Sequence, residues 1–262
     1  MQWEQLTSTD FKNAVEQTGV CIVAMGVLER HSEHLPLGTD YLNGHRIACL
    51  AAIKEPAVVF PPFYFGQIYE ARCFPGTLTL KPTLLLEVLW AVFDEIARNG
   101  FKKIVLLNAH GGNNNLLGFL GQCVLWQEKP YQLYIPRDIV DREQWKAILE
   151  TEYHGHACEC ETSVSLANHP ELVHMDRVPA EPGLPLGNMN GMPNTYNGIW
   201  WYADHPTHYA GDARTASIEK GKKLVALQVE GLARYLAAVK ADQVIPNLVK
   251  EFFDLEDGLA RK

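Results

Sequence analysis

Residues 20–28 form an unbroken apolar run, Val-Cys-Ile-Val-Ala-Met-Gly-Val-Leu. The run has strand length and is too short to span a bilayer. Because it is apolar on both faces, it needs cover on both sides, the condition of a parallel strand inside a layered α/β fold. It stops abruptly at Glu29-Arg30-His31. In open parallel sheets, ligands sit beyond the carboxyl ends of the strands. The residues after Leu28 are therefore the first place to look for chemistry.

The rest of the chain repeats the alternation of strand and helix. Apolar runs at residues 57–60, 104–107 and 131–135 predict three more strands. Helical spacing predicts helices at about 9–17, 41–54 and 81–99, from 114 to about 127, at 138–153 and 156–167, and a long one at 215–239. This pattern predicts an α/β fold with a mainly parallel central sheet. Residues 170–212 are rich in Pro, Gly, Asn and aromatics and predict a long ordered loop region, a type that is often functional. No linker, repeat or low-complexity tract divides the 262 residues, so residues 1–262 are expected to form a single domain.

With 23 basic and 31 acidic residues the net charge is −8, and no basic run occurs. That argues against nucleic acid and anionic membrane surfaces as partners. A small-molecule substrate is the expected partner. The start, Met1-Gln2-Trp3-Glu4, has neither the basic nor the apolar region of a signal peptide. Six cysteines without a Cys-x-x-Cys pair suit free thiols in a reducing compartment, so the expected location is the cytoplasm.

Candidate ligands cluster after the first and third predicted strands. Glu29 and His31, two apart in extended chain, share a face. Asp40 ends Leu35-Pro36-Leu37-Gly38-Thr39-Asp40, where Pro and Gly can fold the loop back. His110 stands before Gly111-Gly112, and Glu161 lies in His156-Ala157-Cys158-Glu159-Cys160-Glu161. Carboxylates and imidazoles together suit Zn, Mn or Fe in the divalent state. Five such ligands exceed one tetrahedral set, and a bridging carboxylate allows two metals. Each element also has a plainer reading. Glu-x-His pairs are commonly solvated, His110 suits a turn, acidic residues favour a helix start, and Cys158-x-Cys160 suits packing.

In order along the chain, these segments resemble the signatures of the creatininase (creatinine amidohydrolase) family: Glu29-x-His31 with Leu35–Asp40, Asn108-x-His110-Gly-Gly-Asn113, and His156-Ala-x-Glu159-x-Glu161-Thr-Ser163. Phe74-Pro75-Gly76-Thr77 and Gly211-Asp212 resemble two further family segments. The resemblance implies a three-layer α/β/α sandwich, one or two divalent metals per chain and a homo-oligomer, often a hexamer. It places Glu29, His31, Asp40, His110 and Glu161 at metal-ligand positions, with Asp40 as the bridge between two metals. It makes His156 a proton carrier or substrate holder. For a hydrolysis by metal-bound water, Glu159 is the alternative proton carrier.

Departures from the family pattern bear on the substrate. Arg30 and Glu33 replace uncharged family residues, either beside the metal or as a loop ion pair. Gly112 stands where true creatininases carry a second-metal Glu. Ile68 and Ala71 replace a polar pair before Phe74, in a segment that keeps Glu70 as a substrate-contact candidate. A site built for a polar edge loses much affinity when that partner is missing, so a member other than true creatininase is expected. Trp200-Trp201-Tyr202, followed by His205 and His208, forms either a stacking wall for a flat or cyclic substrate or an oligomer contact. Arg30, Glu70, Trp200, Trp201 and His208 are the candidate substrate contacts. The leading expectation is metal-dependent opening of a small cyclic amide or related carbonyl compound. Carbon–carbon ring opening of a cyclic keto-inositol is the alternative, and a non-catalytic binding paralogue the second alternative.

Overall fold

The computed structural model describes residues 1–260. In chain order the elements are α1 (Ser8–Thr18), β1 (Val20–Met25), α2 (Thr39–Lys54), β2 (Val58–Val59), α3 (Pro82–Arg98), β3 (Lys103–Asn108), α4 (Asn114–Cys123), β4 (Gln132–Tyr134), α5 (Arg142–Lys146), β5 (His154–His156), α6 (Glu159–Asn168), α7 (Trp200–Asp204), β6 (Ala210–Gly211), α8 (Ile218–Ala241) and α9 (Val244–Ala260). A four-stranded parallel sheet runs β2-β1-β3-β4, and β5 pairs antiparallel with β6 in a small second sheet.

The doubly apolar β1 run explains the layering. Every residue of β1 is buried. Val20, Ile22 and Ala24 face one core with Ile47 and Ala51 of α2 and Leu224 and Leu232 of α8. Cys21, Val23 and Met25 face the other core with Leu89 and Phe93 of α3 and Leu120 of α4. β3 divides the same way, with Val105 and Leu107 on the first side and Ile104 and Leu106 on the second. The result is the α/β/α sandwich, with two helix layers closing on one sheet. Among the described residues no helix is long and apolar enough to cross a membrane.

Element boundaries follow capping chemistry. Thr7 caps α1 by accepting from the Asp10 amide, and Gly19 ends it at φ +63°. β1 stops at Met25, and the remaining apolar residues continue as a loop in which Leu28 bridges Leu78. The helix predicted at 138–153 is confined to Arg142–Lys146, capped by the Asp141 carboxylate. Beyond it, the amides of Glu150 and Thr151 donate to the Glu159 side chain instead of to a helical ladder. The helix predicted at 156–167 begins only at Glu159, because His154–His156 pairs with Ala210–Gly211.

Two glycines let α2 press against the strand ends. A Cβ on Gly26 would lie 2.3 Å from the Tyr41 amide nitrogen, and one on Gly44 would lie 2.4 Å from the Ala109 Cβ. This contact sets the start of α2 directly over the carboxyl ends of β1 and β3. Gly26→Ala is expected to force the helix away and to destabilise the fold by about 1–3 kcal/mol, the usual range for overpacking, read as a lowered urea midpoint. An unchanged midpoint would mean that α2 can retreat without loss.

Candidate metal centre

Met25 and Asn108 are register partners at the ends of two adjacent parallel strands. The chain leaving β1 carries Glu29 and His31, and the chain leaving β3 carries His110. The Glu29 amide donates to the Leu37 carbonyl, which folds the loop back so that Asp40 falls in the first turn of α2. A helix N-terminus favours a carboxylate there. Glu161, in the first turn of α6, closes the group, its Oε2 accepting from the Ala157 amide at 2.6 Å.

These five side chains meet. His31 Nε2 is 3.2 Å from Asp40 Oδ1 and 4.0 Å from Glu29 Oε1. His110 Nδ1 is 2.8 Å from Glu29 Oε1 and 2.9 Å from Asp40 Oδ2. His156 packs against His31 with ring centroids 4.2 Å apart and planes tilted by 35°, and its Nδ1 lies 4.0 Å from Glu161 Oε2. Glu29, His31 and Asp40 each offer a ligand atom within 4.8 Å of the others, as do His31, His156 and Glu161, and Glu29, His156 and His208.

The tautomers follow from the partners. His31 Nδ1 faces the Glu29 carbonyl, an acceptor only, so Nδ1 carries a proton, and Nε2 is the nitrogen that faces the carboxylates and would bind a cation once its own proton leaves. His156 Nε2 lies 2.7 Å from the Arg30 carbonyl, so Nε2–H donates and Nδ1 is free. The Trp201 indole N–H donates to His208 Nδ1 at 3.0 Å, which puts the His208 proton on Nε2, where it donates to Glu29 Oε2 at 2.6 Å. Trp201 and His208 thus hold one oxygen of Glu29 in place and leave the other for the cluster.

The donor set suits a cation. Glu29 Oε1, Asp40 Oδ2 and His110 Nε2 are buried and have no hydrogen-bond partner. Buried carboxylate oxygens without donors are costly, and a bound ion is one of the recognised explanations. Two of these oxygens converge on His110 at contact distance without hydrogen-bond geometry. A divalent cation among these oxygens and imidazoles matches the chemistry of Zn, Mn or Fe.

Charge coupling within the cluster is strong. Burial raises the Glu29 carboxyl, but His156, His110 and His208 outweigh it and hold Glu29 well below the usual carboxylate range. Burial lowers His31, yet Asp40, Glu29 and Glu161 lift it to about 9. Burial likewise opposes, and Glu29 and Asp40 more than restore, the raised His110. Glu161 is pushed up to about 8, first by burial. His156 is pushed down to about 3 by burial, against the pull of Glu29 and with the help of His31 and His208.

Other predicted site residues lie elsewhere. Glu159 is not brought to the cluster: its fully buried carboxylate accepts from the Glu150 and Thr151 amides, the Thr151 hydroxyl and the Lys220 ammonium. Arg30 pairs with Glu33 at 2.9 Å and lies over the Phe74 ring at 4.9 Å. Glu70 accepts from the Gln67 amide. Trp200 is half-exposed and meets the edge of Trp201. Sequence reasoning passed over His34, whose Nε2 lies 2.9 Å from the Thr162 hydroxyl behind the cluster. Its spacing of three from His31 was the available signal.

A cavity of about 410 Å³ opens beside Asp40, His110 and Glu161. Its other walls include Asn43, Leu107 and Trp145. That volume lies within the range of small-molecule sites.

The backbone around the cluster is strained. Ser32, Ala157 and His208 have φ of +57°, +53° and +60°. Non-glycine residues in this region cost of order 1 kcal/mol each and concentrate at functional sites.

Comparison with known proteins gives a consistent picture. The creatininase family model, described as creatinine amidohydrolase, matches residues 4–236. The 3-dehydro-scyllo-inosose hydrolase of Thermotoga maritima is 28% identical, covering 92% of this chain and 82% of that protein. The mycofactocin precursor peptide peptidase of Mycolicibacterium smegmatis is 30% identical over 81% of this chain and 82% of its own. A solved mutant creatininase of Zn-Zn type superimposes with a TM-score of 0.76 over 90% of this chain and 96% of its own, at 23% identity, and so shares the fold.

Protonation of the metal-free cluster sets a measurable linkage. His31 at about 9 and Glu161 at about 8 both carry protons at pH 7, as does the raised His110. A cation must displace them, so its binding is expected to release about two to three protons at pH 7 and to tighten as pH rises toward 9. Titration calorimetry in two buffers of different ionisation enthalpy reads this number directly. Binding without proton release would rule out these groups as ligands.

Proposed function

The chain belongs to the creatininase family, and we propose that it is a divalent-metal-dependent hydrolase of a small carbonyl compound, in the first instance a cyclic amide. The observation that carries this reading is the convergence of Glu29, His31, Asp40, His110 and Glu161, with two buried carboxylate oxygens crowded against the His110 ring without hydrogen-bond geometry. These five residues are the proposed ligands, with Asp40 placed to bridge if two metals bind. A divalent ion held there supplies an acidified water and polarises a substrate carbonyl.

The protein's own groups do the rest. His208, held by Trp201, fixes one oxygen of Glu29 so that the other points into the cluster. His156 is neutral, with its proton on Nε2 committed to the Arg30 carbonyl. Its free Nδ1, 4.0 Å from Glu161 Oε2, holds the substrate or, once the charge of the bound substrate raises its basicity, relays a proton to the leaving atom, a role worth roughly 10²–10⁴ in rate. Glu159, committed to Thr151 and Lys220, is left to support the β5–α6 junction. The cavity beside Asp40, His110 and Glu161 orients the substrate and sheds water on its apolar walls.

A second reading within the same chemistry is hydrolytic ring opening of a cyclic keto-inositol. It is favoured by the likeness to the inosose hydrolase over 92% of this chain. It is also favoured by the apolar burial of Ile68 and Ala71, where a creatinine-type site carries polar groups. Gly112 points the same way: it supplies no second-metal carboxylate, and a Cβ there would lie 2.4 Å from His110 Nε2, so a side chain would displace that ring.

The test is a substrate panel of cyclic amides, short formamides and 3-dehydro-scyllo-inosose, run with added Zn, Mn or Fe and again with chelator. Turnover of a cyclic amide that chelator abolishes supports the first reading. Turnover of the inosose alone replaces it with the second. No turnover of any member with metal bound would favour a binding protein. In the active case, Glu161→Gln and His156→Ala should keep the wild-type circular dichroism spectrum while kcat falls by about 10²–10⁴. We further propose that the chain assembles as a homo-oligomer, for which the expected form is a hexamer. Sedimentation of the metal-loaded protein checks this, and a monomer would overturn it.

A further inference from the structure

The geometry points to a second cation site, sulfur-bearing and separate from the carboxylate cluster, at His154, Cys158 and Cys160. It fits a thiophilic d¹⁰ cation, of the class of Zn(II) or Cu(I). The three residues each present a ligand atom within 4.8 Å of the others. The two sulfurs lie 3.3 Å apart. Two sulfurs at ~2.3 Å from a tetrahedral zinc stand ~3.8 Å apart, so the pair needs to open by only about half an ångström. Two thiolates and one imidazole form a soft set, unlike the oxygen-rich cluster next door.

The local fold builds this site. Cys158 is the N-cap residue of α6, in extended backbone, and its side chain makes no cap hydrogen bond. Cys160 follows in the first turn, which brings its sulfur back onto that of Cys158. His154 comes from β5, whose register shifts between His154 and His156. That irregularity separates the two histidines, so that His156 serves the carboxylate cluster and His154 the thiols.

A chain of hydrogen bonds selects the ligand nitrogen of His154. The Thr151 hydroxyl donates its one proton to Glu159 Oε2 at 2.7 Å. Its oxygen lies 3.3 Å from His154 Nδ1 and can only accept there. Nδ1 therefore carries the ring proton, and Nε2 keeps the lone pair a metal needs. This is the carboxylate-backed support that orients metal-binding histidines in general. It also accounts for Glu159, a fully buried carboxylate that the hydrolytic site does not use. Access exists: Cys160 is half-buried and lines the same cavity as Asp40 and Glu161.

Cadmium titration of the reduced full-length protein tests the proposal. Thiolate ligation gives a near-ultraviolet sulfur-to-cadmium charge-transfer band that carboxylate and imidazole ligands do not. The band is expected to saturate at about one equivalent per chain and to persist in Asp40→Ala and His110→Ala. It should be lost in Cys160→Ser, and Thr151→Val should weaken binding by about 10- to 100-fold, as loss of an outer partner does. Cys160 is half-buried, so its serine variant keeps the test open if the buried Cys158 variant fails to fold. Absence of a saturable band in the wild type would overturn the site, and so would a band unchanged by Cys160→Ser. Because the readout is specific to sulfur, it stands or falls independently of any hydrolytic activity.

Discussion

A fully buried carboxylate at the end of the central strand is the constraint on which this molecule is organised. Glu29 has no exposed surface, and an isolated buried charge of that kind is among the costliest groups a fold can hold. It stays ionised because imidazoles approach it from separate parts of the chain: His110 from β3, His156 from β5, and His208 from the stretch before β6. Removing any of them leaves the others facing an unbalanced charge. The sheet, α2 and the long 170–212 region therefore share a single electrostatic centre.

That centre exists only because backbone and backbone come very close. The parallel sheet ends β1 and β3 at the same level, and two glycines admit α2 against them. Asp40 then enters from a helix start, where the local field already favours its charge. None of these steps needs a metal for folding. The sandwich has two extensive cores, one on each face of the sheet, and they bear the stability while the carboxylate cluster sits at the rim.

The layered fold and most of the cluster were legible because they are local. The doubly apolar run at 20–28 demands cover on both faces, and Glu29, His31, Asp40 and His110 follow strand ends within a few residues. What was not legible depends on contacts across the chain. The stretch 147–153 has helical composition, but its amides are captured by Glu159, a partner eight or nine residues on. His208 reads as a substrate contact by its aromatic surroundings, yet a bond spanning 179 residues turns it onto Glu29. Glu159 and Glu161 stand two apart on a helix, about 200° around its axis, so one site cannot take both. The helix α9, beyond the span of the family match, was missed although Val244, Leu248, Phe252, Leu255 and Leu259 recur at helical spacing.

The eight residues from His154 to Glu161 are interleaved between two sets of partners. His156 and Glu161 turn one way; His154, Cys158, Cys160 and, through Thr151, Glu159 turn the other. Adding or removing a single residue in this stretch would rotate the start of α6 by about 100° and exchange the two memberships. Over evolutionary time this segment can drift in composition at its outward positions, but its length is frozen, a count kept by two sites at once.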